Sequence, residues 1–334
     1  MTVLHRLSLL GAALALVGCA SVSPDGLRGD VAQLTAGRTA GVQAALPATD
    51  AAAKAQAQES IQRWLAEPLT QDAAVRIALL NNPGLQARLA ALGVADAERV
   101  QAITLPNPHF TLGRFANSHE REIERTLAFS LLDLITLPWR TERQAERLQI
   151  ATLQAAQDVV TLAADTRRAW LRAVAAEQVA ATHERMVEAA EAGTELARRM
   201  ASVGNWSRLQ LAREQAVLHE AHRQRARARL AAATAREDLN RRLGVWGTQA
   251  QYQLAAQLPP LPAAALPADG IEATALRERL DVQAARRQLD TQAVRVGWSR
   301  AGAVFGDIRL AYSRNTTTER GSGHHDTTRG WELE

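Results

Sequence analysis

Cysteine, aromatic side chains and a dominant charge are all scarce in this sequence. Its 334 residues contain one cysteine, so no disulfide can form within the chain. Aromatic residues make up 4% of the chain and hydrophobic residues 47%, so most of the apolar surface comes from alanine, leucine and valine. Small aliphatic side chains favour long helix-on-helix contacts. The formal net charge is +4, with arginine and glutamate interspersed, as in residues 143–147. This pattern is typical of solvated helix faces and argues against a nucleic-acid partner.

The motifs of common enzyme sites are also missing. The sequence has no Gly-rich phosphate loop, no Gly-x-Ser-x-Gly turn and no cysteine pair. His324, His325 and Asp326 fall in a predicted polar loop without further preplaced ligands, and His219 and His222 fall on a predicted helix surface. We therefore predict no catalytic residue, no metal ion and no cofactor.

The N-terminal residues have the features of a secretion signal. Basic residues at 5 and 6 precede an apolar run at 9–17, which is too short for a spanning helix of about 20 residues. The run ends in the sequence LVGC at 16–19, which resembles the lipobox of bacterial lipoproteins. This resemblance implies cleavage after residue 18 and thioether lipidation of Cys19. Because Ala20, and not aspartate, follows, it points to the outer membrane, with acyl chains as the anchor.

Helical periodicity dominates the rest of the chain. Residues 20–69 are weakly periodic and are predicted to be an extended tether leading into a short helix, and helical spacing begins at residue 70. Pro83 is predicted to kink or divide that helix. Residues 139–200 contain no proline and one glycine, and about 60 helical residues extend roughly 90 Å. Gly204 and Asn205 end this run, and residues 206–243 return, so we predict an antiparallel helical hairpin.

Two pairs of short segments alternate with the period of a strand. Residues 109–113 and 126–131 are predicted strands, with a polar hairpin loop at 116–124 between them. Residues 304–313 and 331–334 follow the same pattern around a polar loop at 315–328. A small soluble sheet with one buried face is one interpretation. If the strands instead span a membrane, several chains must close one barrel together, since hydrocarbon does not tolerate open strand edges.

The order of elements begins again near residue 271. An offset of 197 positions pairs Gln86 with Gln283 and Ala87 with Ala284, and helix, strand, loop and strand recur in the same succession. We therefore divide the chain into five parts: a lipoprotein signal peptide (1–18), a lipid-anchored tether with a short helix (19–69), a first helix–strand–strand–helix-hairpin repeat (70–246), a Pro-rich linker (247–270) and the start of a second repeat (271–334).

Three stretches together carry a resemblance to a known family. ALLNNPGL at 78–85, ASVGNWSRL at 201–209 and RLDVQAA at 279–285 resemble the TolC-like outer-membrane efflux proteins, the outer membrane factor lipoproteins, over residues 60–334. The resemblance implies a homotrimer that is mainly α with a small β part. Four strands per chain would build an outer-membrane β-barrel, continued by a long α-helical periplasmic barrel.

The resemblance also implies a function. Such a chain is the outer-membrane channel of a tripartite efflux system, a passive export duct for drugs or metal ions and not an enzyme. Its partners would be a periplasmic adaptor, an inner-membrane efflux pump and outer-membrane lipid. A periplasmic adaptor lipoprotein is the alternative, although the Gly-rich half-motifs that flank an adaptor hairpin are not found here.

Particular residues take roles from this resemblance and from the strand pattern. Cys19 is the expected lipid attachment point. The adaptor-docking tip of the hairpin is expected at Val203, Gly204, Asn205, Trp206 and Ser207, and the expected lumen-facing residues are Asp307, Arg309, Glu332 and Glu334. Family members continue through a second long hairpin that carries the gate, so the resemblance implies a C-terminally truncated chain.

Overall fold

The structure is a computed structural model that describes residues 21–39, 41–42, 46–47, 50–104, 107–261, 263–264, 269–302 and 309–333. The predicted signal peptide, Cys19, Asp307 and Glu334 lie outside the described residues. The chain divides into two compact units built from separate stretches. The strand-containing unit comprises Met1–Gly26, Leu92–Thr152 and Asp281–Glu334, and the helical unit comprises Leu27–Ala91 and Leu153–Leu280.

The described part of the chain is mostly helical with one small sheet, which confirms the predicted mainly-α class. Its helices are α1 (Arg28–Thr35), α2 (Ala51–Ala66), α3 (Gln71–Asn81), α4 (Pro83–Ile103), α5 (Leu131–Ser202), α6 (Arg208–Leu243), α7 (Ile271–Glu278) and α8 (Leu280–Gly302), and its strands are β1 (His109–Ala116), β2 (Glu120–Ser130), β3 (Arg309–Glu319) and β4 (His325–Leu333). Among the described helices, none combines the length and the apolar character that crossing a membrane would require.

Local sequence signals account for several helix ends. The side chains of Asp50 and Thr70 each accept a hydrogen bond from the backbone amide three residues later and so cap α2 and α3. The predicted division at Pro83 is confirmed: Asn82 is extended, at φ −66° and ψ 118°, as a residue before proline prefers. Arg279, 197 positions later, separates α7 from α8 with nearly the same angles, −67° and 124°.

The predicted helical hairpin is confirmed and is longer than predicted. Helix α5 has 72 residues and contains Pro138, which immediately precedes the predicted start of the helix. Ser207 caps α6 with a capping box: the Ser207 hydroxyl accepts from the amide of Gln210, and the Gln210 side chain accepts from the amide of Ser207. Gly244 ends α6 in the left-handed conformation, at φ 69°.

The core of the helical unit lies where α2, α3, α5 and α6 meet. Its buried members are apolar side chains with two large rings among them: Ile61, Leu69, Ala74, Ile77, Ala78, Ala169, Trp170, Ala173, Val174, Leu239, Leu243, Val245 and Tyr252. The indole N–H of Trp170 donates to the carbonyl of Leu69 at 2.8 Å, and the Tyr252 hydroxyl donates to Asn240 Oδ1 at 2.8 Å. Each ring is thus buried with its polar atom bonded, as buried Trp and Tyr require.

A close backbone contact joins the end of α6 to the break between α3 and α4. The Asn81 side-chain amide donates to the carbonyls of Leu243, at 3.1 Å, and Gly244, at 2.7 Å. A Cβ at position 244 would lie 2.6 Å from the Asn81 carbonyl oxygen. Only glycine fits here, both for space and for its positive φ.

The strand-containing unit holds one antiparallel sheet in the order β1-β2-β3-β4. Its register pairs Leu112 with Arg125, Arg125 with Arg314, and Arg314 with Arg329.

A buried carboxylate lies in the same unit. The side chain of Asp96 is 1% exposed, accepts a hydrogen bond from the Ser23 amide at 2.6 Å and forms an ion pair with Arg99 at 2.9 Å. This contact ties residues 21–23 to α4.

Three predictions about local structure are wrong. The predicted loops at 116–124 and 315–328 are mostly strand, because cross-strand pairing continues to Ala116, resumes at Glu120, and links β3 and β4 as far as Thr318 and His325. Leu131 begins α5 instead of ending a strand. The predicted extended tether contains helix α1, with Val31 fully buried, whereas the short helix predicted at its end is present as α2.

Candidate functional site

The two faces of the sheet differ sharply, and the register defines them. Directly opposed residues share a face, and successive residues along a strand alternate between faces. We call the face that carries Phe110, Leu127 and Tyr312 the apolar face, and the opposite one the acidic face. The rings of Tyr312 and Trp331, which are paired in the register, lie 5.1 Å apart, so their side chains do share a face.

The apolar face is arranged in rows that cross the strands. The row nearest the helices contains Phe129, Leu310 and Leu333, and the next contains Phe110, Leu127, Tyr312 and Trp331. Four of these side chains are exposed in the described structure, with exposed fractions of 65% at Phe110 and 71% at Trp331, and the other three are half-buried. Exposed apolar patches of this kind mark contact with another protein or with lipid.

Charges are sorted by sign between the two faces. Every carboxylate in the described strands lies on the acidic face: Glu120, Glu122, Glu124, Glu319, Asp326 and Glu332. Arginines other than Arg309 lie on the apolar face, where the strands carry Arg114, Arg121, Arg125, Arg314 and Arg329. The rest of the acidic face is mostly Thr, Ser, Ala and Gly, so it offers small polar side chains and negative charge.

The hairpin tip is a tight, hydrogen-bonded turn. Gly204 has φ 81°, and the amides of Asn205 and Trp206 both donate to the carbonyl of Met200, at 3.0 and 3.2 Å. Val203 is 70% exposed. The tip is therefore a fixed backbone turn that presents an apolar side chain to solvent.

A charged cluster precedes the tip on α5. Glu195 accepts hydrogen bonds from the guanidinium groups of Arg199, with Nε at 3.0 Å, and Arg198. These bonds lower the pKa of the Glu195 carboxyl. Because the cluster stands on the surface, it adds little to stability.

The predicted site residues fall in three places. Arg309 and Glu332 lie on the acidic face, one facing Ser130 and the other facing Ala311. The five tip residues lie together in the turn between α5 and α6. Cys19, Asp307 and Glu334 lie outside the described residues.

The acidic carboxylates of β2 are not among the predicted site residues. Residues 120–125 read Glu-Arg-Glu-Ile-Glu-Arg, which alternates in sign instead of hydrophobicity, so hydropathy alone predicts a loop there. The period of two was the signal that could have identified this strand.

The predicted histidine loop also differs from the structure. His325 and Asp326 open β4 and point to opposite faces, and His325 Nδ1 contacts the Thr318 hydroxyl at 2.9 Å. In the part of the chain that the structure describes, no group of three or more His, Cys, Asp or Glu side chains could hold a metal ion.

Comparison with solved structures identifies the fold. The chain matches the Campylobacter jejuni CmeC outer membrane channel with a TM-score of 0.63 and 16% identity, over 79% of this chain and 61% of that one. It matches a Pseudomonas aeruginosa membrane protein with a TM-score of 0.64 and 19% identity, over 81% and 68%. It matches CusC, described for its folding and transmembrane channel formation, with a TM-score of 0.62 and 17% identity, over 82% and 67%.

These matches establish a class of fold. No family profile matches the sequence, and no curated protein does. The chain spans 61–68% of the length of the three matched structures. It has the fold of TolC-like outer-membrane channels, which are not enzymes.

Proposed function

We propose that this chain is one protomer of a homotrimeric outer-membrane channel that serves as a passive export duct for drugs or metal ions. In this proposal its four strands contribute to a shared β-barrel, and α5 and α6 contribute to a periplasmic α-helical barrel. An inner-membrane pump supplies the energy, and a periplasmic adaptor joins pump and duct. The fold shared with outer-membrane channels supports this role.

The observation that carries the proposal is the sheet itself. Its apolar face is exposed, and in the described residues its two outer strands, β1 and β4, each have one neighbouring strand. A sheet with two open edges and an uncovered apolar face is unstable alone in water and forbidden alone in lipid. Copies that pair β1 with β4 of the next chain would remove both defects at once.

The acidic face would then line the lumen. Barrel strands in membranes alternate between lipid-facing apolar residues and lumen-facing polar residues. Arg309 and Glu332 share the face of small polar and acidic side chains, as a lumen position requires. Asp307 and Glu334 are proposed to continue it.

The hairpin turn is proposed as the adaptor-docking tip. Val203, Gly204, Asn205, Trp206 and Ser207 form a rigid turn with an exposed apolar residue at 203, a geometry suited to contact with a partner. Acyl chains on Cys19 are proposed to add a membrane anchor.

The proposed internal repeat rests on the paired helix breaks. Asn82 and Arg279 interrupt the helices with the same backbone conformation, and each amide donates to the carbonyl four residues earlier, at 2.9 and 3.0 Å. The five-part division, with repeats at 70–246 and 271–334 around the linker at 247–270, is part of this proposal.

Labelling two adjacent positions of β2 tests the channel proposal. Leu127→Cys lies on the apolar face and Ala128→Cys on the acidic face, so the two variants differ by one residue in sequence and by one face in space. Each is labelled with an environment-sensitive maleimide dye after reconstitution into phosphatidylcholine vesicles. The parent chain, whose one cysteine is Cys19, gives the background signal.

Opposite responses are expected from the two labels. Brominated lipid should quench the dye at 127 and aqueous iodide the dye at 128, and the unboiled protein should migrate as a trimer on a detergent gel. Equal quenching of both labels by iodide would show a water-soluble sheet and reject the channel. If iodide does not quench the label at 127 but the protein runs as a single protomer on the unboiled gel, the apolar face still contacts the membrane and the trimer is rejected.

A further inference from the structure

Three arginines stand side by side on the apolar face. Arg125, Arg314 and Arg329 occupy directly opposed positions on β2, β3 and β4, so they form a continuous row across the sheet. Opposed residues in an antiparallel sheet are about 5 Å apart between their Cα atoms. Like charges at this spacing repel and destabilise the pairing. The row therefore favours an anion that neutralises it.

The described part of the chain supplies no such anion. All carboxylates of the described strands face the other side of the sheet, and none of these three arginines takes part in an ion pair there. Arg314 and Arg329 are exposed, and Arg125 is half-buried. Three guanidinium groups are thus free to bind an external ligand with several acceptor oxygens.

The neighbouring rows indicate what kind of ligand carries the oxygens. The row next to the arginines, on the side of the helices, contains Leu127, Tyr312 and Trp331, and the row beyond it is aliphatic and aromatic. Rows two residues apart are separated by about 7 Å along the strands. Membrane proteins place apolar residues in the hydrocarbon, Trp and Tyr at the interface, and cationic side chains at the lipid headgroups. The three rows follow this order.

We propose that the row of Arg125, Arg314 and Arg329 binds the phosphate groups of membrane lipid headgroups, while the adjacent apolar rows contact the acyl chains of the same lipids. Arginine suits this task because its planar fork donates two parallel hydrogen bonds to phosphate oxygens. The site rests on the proposed membrane location of the sheet, and it adds a preference for phosphate-rich lipid.

Lipid retention by the purified full chain tests the site. The protein is exchanged into maltoside micelles that contain lipid A with both phosphates, or lipid A from which they have been removed, and bound lipid per protomer is counted by native mass spectrometry. The test variant is R125Q/R314Q/R329Q. The matched control, R208Q/R213Q/R227Q, removes the same charge from exposed positions on α6. A third variant, R125K/R314K/R329K, keeps the charge but not the fork.

Phosphate dependence and its loss are the expected results. The parent and the α6 control should retain about tenfold more of the bisphosphorylated lipid, the Gln variant should retain both lipids to within about twofold, and the Lys variant should fall between. Circular dichroism of each variant checks that the fold is kept. Undiminished retention by the Gln variant, or equal retention of both lipids by the parent, overturns the proposal.

Two further outcomes distinguish a lipid site from a free-anion site and from the failure of the channel proposal. Displacement of lipid A by inorganic phosphate at about the same concentration would identify a free-anion site and overturn the lipid site. If the label at 127 reports water while phosphate-dependent retention persists, the channel proposal fails and the arginine site stands. If the label at 127 is in lipid but retention does not depend on the lipid phosphates, the channel proposal stands and the arginine site is rejected.

Discussion

Replacing Gly244 with alanine should destabilise the protein strongly. Gly244 has φ 69°, and the left-handed conformation costs a residue with a Cβ about 1–2 kcal/mol. The added Cβ would also stand 2.6 Å from the backbone oxygen of Asn81, which cannot rotate away as a side chain could. Overpacking of this kind costs about 1–3 kcal/mol, so we expect a total loss near 3 kcal/mol.

Gly204 and Gly93 provide matched controls for this prediction. Gly204 also has a positive φ, 81°, but no atom lies within 4 Å of a Cβ there, so Gly204→Ala should cost only the conformational part, about 1–2 kcal/mol. Gly93 lies inside α4 with open space around it, and Gly93→Ala should stabilise the helix by about 0.5–1 kcal/mol.

Thermal unfolding, monitored by circular dichroism at 222 nm, gives the unfolding midpoint of the parent and the three variants. The midpoint should be highest for Gly93→Ala, then the parent, then Gly204→Ala, and lowest for Gly244→Ala. If Gly244→Ala unfolds no earlier than Gly204→Ala, the tight contact between the end of α6 and Asn81 does not exist in solution.

Three further changes probe the packed regions. Burial raises the pKa of Tyr252 to about 12, above its ordinary 10. The contribution of the neutral Tyr252 side chain to folding stability is therefore fully present below pH 10 and is lost as pH rises through 12. Urea unfolding should show that the free energy of unfolding falls by about 2–3 kcal/mol over this range, a loss that Tyr252→Phe lacks. Trp170→Phe leaves the Leu69 carbonyl without its indole donor and should cost about 2–3 kcal/mol in the same assay; no change would exclude that bond. Asp96→Ala should speed hydrogen exchange of the Ser23 amide about tenfold, and unchanged protection would show that another group holds residues 21–23.

Local signals in the sequence are sufficient to predict most of the helices and several of their ends. Caps, Pro83 and the left-handed Gly244 act through neighbours within four residues, so they can be read without knowing the fold. The apolar alternation at Phe110, Leu127 and Leu310 likewise identified the sheet and its apolar face. Resemblance in three short stretches pointed to the channel fold that the structural comparisons bear out.

The extent of the strands and the meeting of their charges depend on contacts between distant parts of the chain. The segment from Glu120 to Arg125 is too polar to look like a strand, and it is one because backbone hydrogen bonds to β1 and β3 complete it. Arg125 lies about 200 positions before Arg314 and Arg329 in the sequence, and the three become neighbours only through the register of three strands. Long-range pairing leaves no local trace, and so the arginine row is visible only in the folded chain.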